Sequence, residues 1–286
     1  MSSARQPTVE HGDYFLNRDW QSSARLTFQH YVTQARLGYL LHPTVEASLK
    51  DKPSPRILDL GTGTGIWAVE ACKKYPQATV VGLDVVDNQF PTPATLPKNI
   101  SFAKYNFFEP VPSDLAGTFD VVHVSLINAA LYKGGRETVM KNIFQLLKPG
   151  GWLQWREILP DQDLLLDPQT LQPVPERLKI FDFVEKHMGF ITFQDWSREM
   201  PKYFTEEGGF VDADVVFPEF VPALINQETQ LLLWNSLETV TTLAKAVGTQ
   251  EAKEGAKEAM EDTERHVREG KVLHWKLAVG FARRPE

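Results

Sequence analysis

Two carboxylates and three glycines define the chemistry available to this chain. Asp59 lies in a short apolar strand, Ile57-Leu58-Asp59-Leu60, which runs into Gly61-Thr62-Gly63-Thr64-Gly65 and then a helix opening at Ile66-Trp67. Glycines at alternate positions let a backbone approach a ligand closely, and the order strand, glycine turn, helix points to a nucleoside-cofactor site. A dinucleotide loop has the spacing G-x-G-x-x-G and rests a pyrophosphate on the helix N-terminus. Here the spacing is G-x-G-x-G, and Ile66 stands where the third dinucleotide glycine would be. Roughly 20 residues beyond the loop a second apolar strand, Thr79 to Asp84, ends in the acid that a doubly wound fold uses to hold ribose hydroxyls. Between the strands, Trp67 to Tyr75 reads as a helix closed by Pro76, which completes a parallel strand-helix-strand unit.

The following elements keep the same order. Ile100 to Tyr105 is a third strand leading to Asn106-Phe107-Phe108-Glu109-Pro110, and Thr118 to Ser125 is a fourth. Met140 to Leu147 has helical apolar spacing, Lys148-Pro149-Gly150-Gly151 stops it, and Trp152 to Glu157 begins a fifth strand. Together these segments resemble the class I S-adenosylmethionine (SAM)-dependent methyltransferases. The resemblance implies a Rossmann-like α/β fold: a mostly parallel seven-stranded sheet with a C-terminal antiparallel hairpin, an N-terminal helical cap and a lid insertion. It implies SAM as the cofactor, held by Asp59, Gly61, Thr62, Gly63, Gly65, Asp84, Val85, Asn106, Phe107 and Ser125. Many members have Asp where this chain has Asn106, whose amide oxygen can still accept from an adenine amine. The chemistry agrees, because SAM has an ammonium and a sulfonium but no pyrophosphate, so an acid at Asp59 attracts it.

More than half a hundred residues precede the first strand. Tyr14 to Trp20 and Ser23 to Tyr31, continued by Leu37 and Leu40-Leu41, read as amphipathic helix ended by Pro43. The Ser23 to Tyr31 stretch and Gly38 to Pro43 resemble the N-terminal cap of a fungal methyltransferase group of secondary metabolism that includes regulator-like relatives. After Glu157 a segment rich in proline (Pro160, Pro168, Pro173, Pro175) precedes apolar-periodic stretches over Arg177 to Met188 and Asp195 to Phe204, the expected substrate lid. Phe210 to Phe217 reads as a strand, Gln227 to Ala246 and Gln250 to Glu269 as helices, and Val272 to Arg283 as a last strand. The expected divisions are a cap over 1–53, a cofactor core over 54–158, a lid over 159–208 and completion of the sheet over 209–286.

Of the 286 residues 42% are hydrophobic, enough for a sizeable core in one elaborated domain. A net charge of -7 argues against a phosphate-backbone substrate, and no run is apolar enough to span a membrane. The expected setting is therefore cytoplasmic, with a small-molecule substrate and neither nucleic acid nor membrane as partner; the oligomeric state stays open. Cys72 reads as a small buried residue, and the seven histidines lack metal-ligand spacing. The charged run Gln250 to Lys271, with Ala252, Ala256, Ala259, Met260 and Val267 as an apolar stripe, reads as a solvated helix packed on the domain.

Methyl transfer to a hydroxyl, the acceptor favoured over nitrogen at this stage, benefits from a base. Glu157 and His123, at the ends of the fifth and fourth strands, and His30 on the cap helix are the candidates. Each has a plainer reading: Glu157 as an ion pair with Arg156 or a cap residue, His123 as a packed or hydrogen-bonded strand-end residue, His30 as a partly buried helix residue. Arg25 could pair with the SAM carboxylate or be a surface charge. Ser125 and Asn128 could line the cofactor or substrate. Two other functions fit the same residues: a SAM-binding regulator acting through a protein partner, and a SAM-dependent cyclase that transfers no methyl.

Overall fold

The computed structural model describes residues 16–131, 135–159, 164–188 and 195–286. The expected helical start at Tyr14-Phe15 and the lid residue Pro160 lie outside these residues. Helix α1 (Trp20–Leu37) begins where the Asp19 side chain accepts from the Ser22 N–H at 2.8 Å and ends where Gly38 turns left-handed, with φ 72°. The sequence pointed to one helix running to Pro43. Instead Pro43 opens a second one, α2 (Pro43–Ala47), because a proline ring suits the first helical turn, where an amide needs no partner.

Strand β1 (Arg56–Leu60), α3 (Ile66–Lys74), β2 (Thr79–Asp84), β3 (Ile100–Lys104) and β4 (Phe119–Ser125) follow the expected order. Next come α4 (Asn128–Leu131), α5 (Arg136–Leu146) and β5 (Leu147–Ile158). The expected turn at Lys148 to Gly151 lies inside β5 as an irregularity: Gly150 has a left-handed φ of 72°, the pairing with β4 shifts register between Leu147 and Trp152, Gly150 N–H donates to Arg284 O at 3.0 Å and Arg284 N–H donates to Gly151 O at 2.8 Å. The remaining elements are β6 (Leu165–Leu166), α6 (Lys179–Met188), α7 (Met200–Glu206), β7 (Val211–Val216), α8 (Ile225–Val247), α9 (Gln250–Arg268), β8 (Val272–Leu273) and β9 (Leu277–Arg283).

The main sheet has seven strands in the order β3-β2-β1-β4-β5-β9-β7; β9 runs antiparallel to both neighbours and the first five are parallel. This is the expected Rossmann-like sheet with its antiparallel closing pair, although β7 and β9 are joined through α8 and α9 rather than by a tight turn. The strand expected over Val272 to Arg283 is two strands, since β8 leaves the main sheet to pair with β6. Strand order reverses between β1 and β4, and that reversal opens a crevice at the carboxyl ends of the strands.

One face of the sheet buries Ile57, Val80 and Val121 against Trp67, Ala68, Leu41 and Val45; the other buries Leu58, Val122, Leu153 and Trp155 against α5 and α7. A third cluster lies in the roof, where Val32, Phe183, Leu231, Val240, Ala256 and Trp275 join α1, α6, α8 and α9. The expected lid segment therefore divides. Its α6 part belongs to the roof, whereas Trp196, Met200 and Phe204 are buried in the core beside Trp155. Helix α9 packs as expected, with Ala252, Ala256, Ala259 and Met260 buried, and Cys72 is buried with its Sγ 3.1 Å from Asn99 Oδ1.

Candidate active site

A cavity of about 410 Å3 opens between the strand ends and the roof. Its floor is the glycine loop with the ends of β1, β2, β4 and β5. Loop residues Gly61 and Thr62 donate their amides to Leu83 O at 2.8 and 2.9 Å, which ties the loop to β2. Gly63 and Gly65 take left-handed φ of 55° and 73°, and a side chain at Gly65 would meet the Phe102 ring at 2.6 Å. The loop geometry thus demands glycine there, and it turns the Gly63 N–H to donate to Asp84 Oδ2 at 2.8 Å.

Asp59 is buried, and its Oδ2 accepts from Thr62 Oγ1 at 2.5 Å. Burial pushes its pKa up to about 7, while the Thr62 hydrogen bond and the charge of Arg156 pull it down. Arg156 also lines the cavity and is 97% buried, with Nε and Nη1 lacking any hydrogen-bond partner. Burial lowers its pKa to about 10, against the opposing charge of Asp59. A buried carboxylate and a buried guanidinium that attract each other across one cavity fit the ammonium and carboxylate of a zwitterion. The guanidinium is not satisfied by the protein alone. The residues present therefore suit the amino-acid end of SAM.

Gly61, Thr62, Gly63, Asp84, Val85, Asn106, Phe107 and Ser125 all line the cavity, whereas Gly65 lies behind its wall as the N-cap of α3. Asn106 Oδ1 accepts from Phe108 N–H at 3.1 Å, so the oxygen expected to meet an adenine amine already holds the 106–109 turn.

The three candidate bases fare differently. Glu157 lines the cavity, but its Oε1 accepts from the amides of Ile127 and Asn128 at 2.8 and 3.1 Å and from Trp155 Nε1 at 3.1 Å. Burial raises its pKa to about 8, and no ion pair with Arg156 forms because adjacent strand residues face opposite sides of the sheet. Its visible work is to fix the turn after β4, where Leu126 holds a φ of 57°.

His123 is fully buried behind the wall, stacked on Trp67 with ring centroids 3.9 Å apart. Burial, then the nearby charge of Arg156, holds its pKa well below the usual histidine value. It does not line the cavity. His30 does, and its Nε2 lies 2.8 Å from Glu70 Oε2. Burial lowers its pKa, with Glu70 opposing. Arg25 is no surface charge: it is 97% buried, its Nε is bonded to Glu238, and its Nη1 donates to Asn235 Oδ1 at 2.8 Å. A second buried guanidinium on the cavity wall is Arg156, which the sequence offered only as a partner for Glu157. Alternation along β5 was the signal that could have found it, since it sends residues 156 and 157 to different faces. Helix α8, whose Leu232, Asn235, Ser236 and Thr239 line the cavity, was also missed, because its helical pattern carries no hint of what it covers.

A methyltransferase-domain family model matches residues 28–205, more than half of the chain, and the chain belongs to that family. Among curated proteins it is 40% identical to methyltransferase grgD of Penicillium sp over 154 residues, 51% of this chain and 52% of that one. It is 32% identical to N-methyltransferase sirN of Leptosphaeria maculans over 61% of this chain and 58% of that one. The chain thus spans about half the length of the curated relatives it matches. In fold it is similar to a Haemonchus contortus phosphoethanolamine N-methyltransferase, with a TM-score of 0.51 at 16% identity over 98% of this chain and 62% of that one. The expectation that oxygen is favoured over nitrogen is overturned: relatives whose names give an acceptor are mostly N-methyltransferases, including those of Aspergillus fumigatus and Claviceps purpurea. Among the described residues no helix is long and apolar enough to cross a membrane, and no cluster could hold a metal ion.

Proposed function

We propose that this protein is a SAM-dependent methyltransferase that methylates a nitrogen of a small, largely apolar metabolite. The observation that carries the reading is the pair Asp59 and Arg156, buried and of opposite charge on the wall of the glycine-loop cavity. Asp59 would hold the ammonium, Arg156 the carboxylate, Asp84 the ribose hydroxyls, and Phe107 the adenine face. When bound, SAM supplies a methyl on a sulfonium whose charge vanishes as the acceptor bonds to it. The chain contributes alignment and exclusion of water, a contribution that reaches roughly 7 to 11 kcal/mol for ideally oriented reactants.

The acceptor must lose a proton during or after transfer. His30 is the group to take it: with Nε2–H donated to Glu70, Nδ1 keeps its lone pair, and a lowered pKa keeps the ring neutral near pH 7. Glu157 keeps the 126–128 turn in place, and His123 supports Trp67 from behind. Helices α1, α6, α8 and α9 form one cap over the site. The nitrogen assignment follows the relatives' names. The same reading assigns the protein to the cytoplasm, with small molecules rather than nucleic acid or membrane as partners, in keeping with its net charge of -7.

The test is incubation of the protein and methyl-labelled SAM with a metabolite extract, followed by mass analysis and fragmentation. A product that gains one methyl on nitrogen is expected. No methyl gain would sink the transferase reading, and a label on another atom would remove the acceptor assignment.

A further inference from the structure

Beyond the groups assigned to the cofactor, the roof and the rim of the cavity carry an imbalance of their own. Arg25, Asn128 and Trp275 line the cavity, each at least 94% buried, and each has a side-chain nitrogen donor with no hydrogen-bond partner: Nη2, Nδ2 and Nε1. Among the described residues no unpartnered buried pure acceptor accompanies them on the wall, where the other unpartnered buried side-chain atoms are two threonine hydroxyls and the nitrogens of Trp67 and Arg156. A buried donor without a partner is costly, so a ligand bearing acceptor oxygens gains more there than one bearing donors. Leu178, Ile180, Phe181 and Leu232 make the rest of that wall apolar.

The charges narrow the ligand further. The Arg25 guanidinium is already balanced by Glu238, whose other oxygen accepts from Ser22 Oγ at 2.9 Å. An anionic ligand would add an uncompensated negative charge to this closed pair, whereas a neutral carbonyl oxygen adds none. We infer that the molecule methylated here is an uncharged, apolar compound recognised through a carbonyl oxygen that accepts from Arg25 Nη2 or Trp275 Nε1. This rests on the methyltransferase reading above, which does not itself say what the substrate displays. The Asn128 nitrogen, on the turn that Glu157 holds, supplies a donor for a second oxygen nearer the floor.

Three small probes of nearly one shape test the inference: acetophenone, α-methylstyrene (with C=CH2 in place of C=O) and benzoate. Binding of S-adenosylhomocysteine is first measured by calorimetry, and each probe is then titrated into the loaded protein by ligand-observed NMR. Acetophenone is expected to bind about tenfold tighter than α-methylstyrene, with benzoate weakest. Trp275→Phe, which removes the indole N–H, and Arg25→Lys, which keeps a charge for Glu238 but withdraws the free Nη2 donor, are expected to bring the ketone-to-hydrocarbon ratio towards one while S-adenosylhomocysteine still binds and shows the variants to be folded. Equal binding of ketone and hydrocarbon, tighter binding of benzoate, no probe binding, or an unchanged ratio in both variants overturns the inference and leaves the methyltransferase reading standing. Absence of S-adenosylhomocysteine binding to the wild type overturns that reading, and the inference with it.

Discussion

On the floor of the cavity, polar groups find partners within a few residues or one strand away: Thr62 with Asp59, Gly63 with Asp84, Asn106 with Phe108, and Glu157 with Trp155 and the turn after β4. In the roof, contacts join segments far apart in the chain, as where Arg25 and Ser22 of α1 meet Asn235 and Glu238 of α8. The floor is a local device repeated wherever a strand meets a glycine turn. The roof is a tertiary assembly, and its unpartnered donors on Arg25 and Trp275 add to those of Arg156 and Asn128 nearer the floor. Under the proposed function, the difference separates what would hold the cofactor from what would choose the substrate.

The comparison breaks first at Asp84. Asp84→Ala removes the acceptor for the Gly63 amide together with the one expected to hold the ribose hydroxyls. Hydrogen bonds to a charged group contribute about 1.5 to 3 kcal/mol each, so S-adenosylhomocysteine affinity is expected to fall at least about 100-fold by calorimetry. A change of only a few-fold would mean that the floor does not hold the nucleoside. Arg156→Met sharpens the same division with a smaller effect, a loss of cofactor affinity of roughly tenfold or more. Its melting temperature without cofactor is expected to hold or rise, because the variant removes a buried charge that lacks a direct partner. If Arg25→Lys lost cofactor affinity instead and Arg156→Met kept it, the two arginines would have to exchange roles.

The two regions also differ in how far the sequence disclosed them. Strand ends, glycine spacing and the order of the parallel strands were legible because each depends on residues close in sequence: Asp59, Gly63 and Asp84 stand where the pattern put them. Single-sequence periodicity says which side of a helix is apolar but not what it packs against. That is why the expected helix over Gln227 to Ala246 carried no sign that it lines the cavity, and why the expected lid segment Asp195 to Phe204 has Trp196, Met200 and Phe204 in the core. Arg25, expected either to pair with the SAM carboxylate or to be a surface charge, meets Glu238 across the whole fold, a pairing that no local pattern encodes. The Val272 to Arg283 stretch was split because β8 finds its partner in β6, more than a hundred residues earlier.

A titration separates the positioning work of Glu157 from proton transfer. Its carboxyl moves from 4.5 when unfolded to about 8 when folded, and Asp59 from 3.8 to about 7. Between those values the folded state binds more protons than the unfolded one, so stability without cofactor falls as pH rises from the unfolded pKa through the folded one. Glu157→Gln keeps an oxygen for the Ile127 and Asn128 amides and removes one of the two titrations. Melting temperatures measured across this window are expected to decline less steeply in the variant than in the wild type. Parallel curves would show that Glu157 is not protonated in the folded protein near neutral pH, and would return it to the list of bases.

The smallest effect asks whether floor and roof are independent at all. Helix α9 lines no part of the cavity; it backs α6 and α8 through Ala252, Ala256 and Ala259, and it starts where Thr249 Oγ1 accepts from the Ala252 N–H at 3.1 Å. Thr249→Ala removes that cap at a cost of about 1 kcal/mol, which lowers the melting temperature of a chain this size by about 2 °C. If the floor is self-contained, S-adenosylhomocysteine affinity stays unchanged within error, because every contact assigned to the cofactor lies on the strand ends and the glycine loop. A fall in cofactor affinity that tracks the loss of stability would instead show the cap helices and the loop to be one cooperative unit. The substrate donors on α1 and beside β8 would then help to order the cofactor site, and substrate and cofactor would bind in a coupled rather than an independent manner.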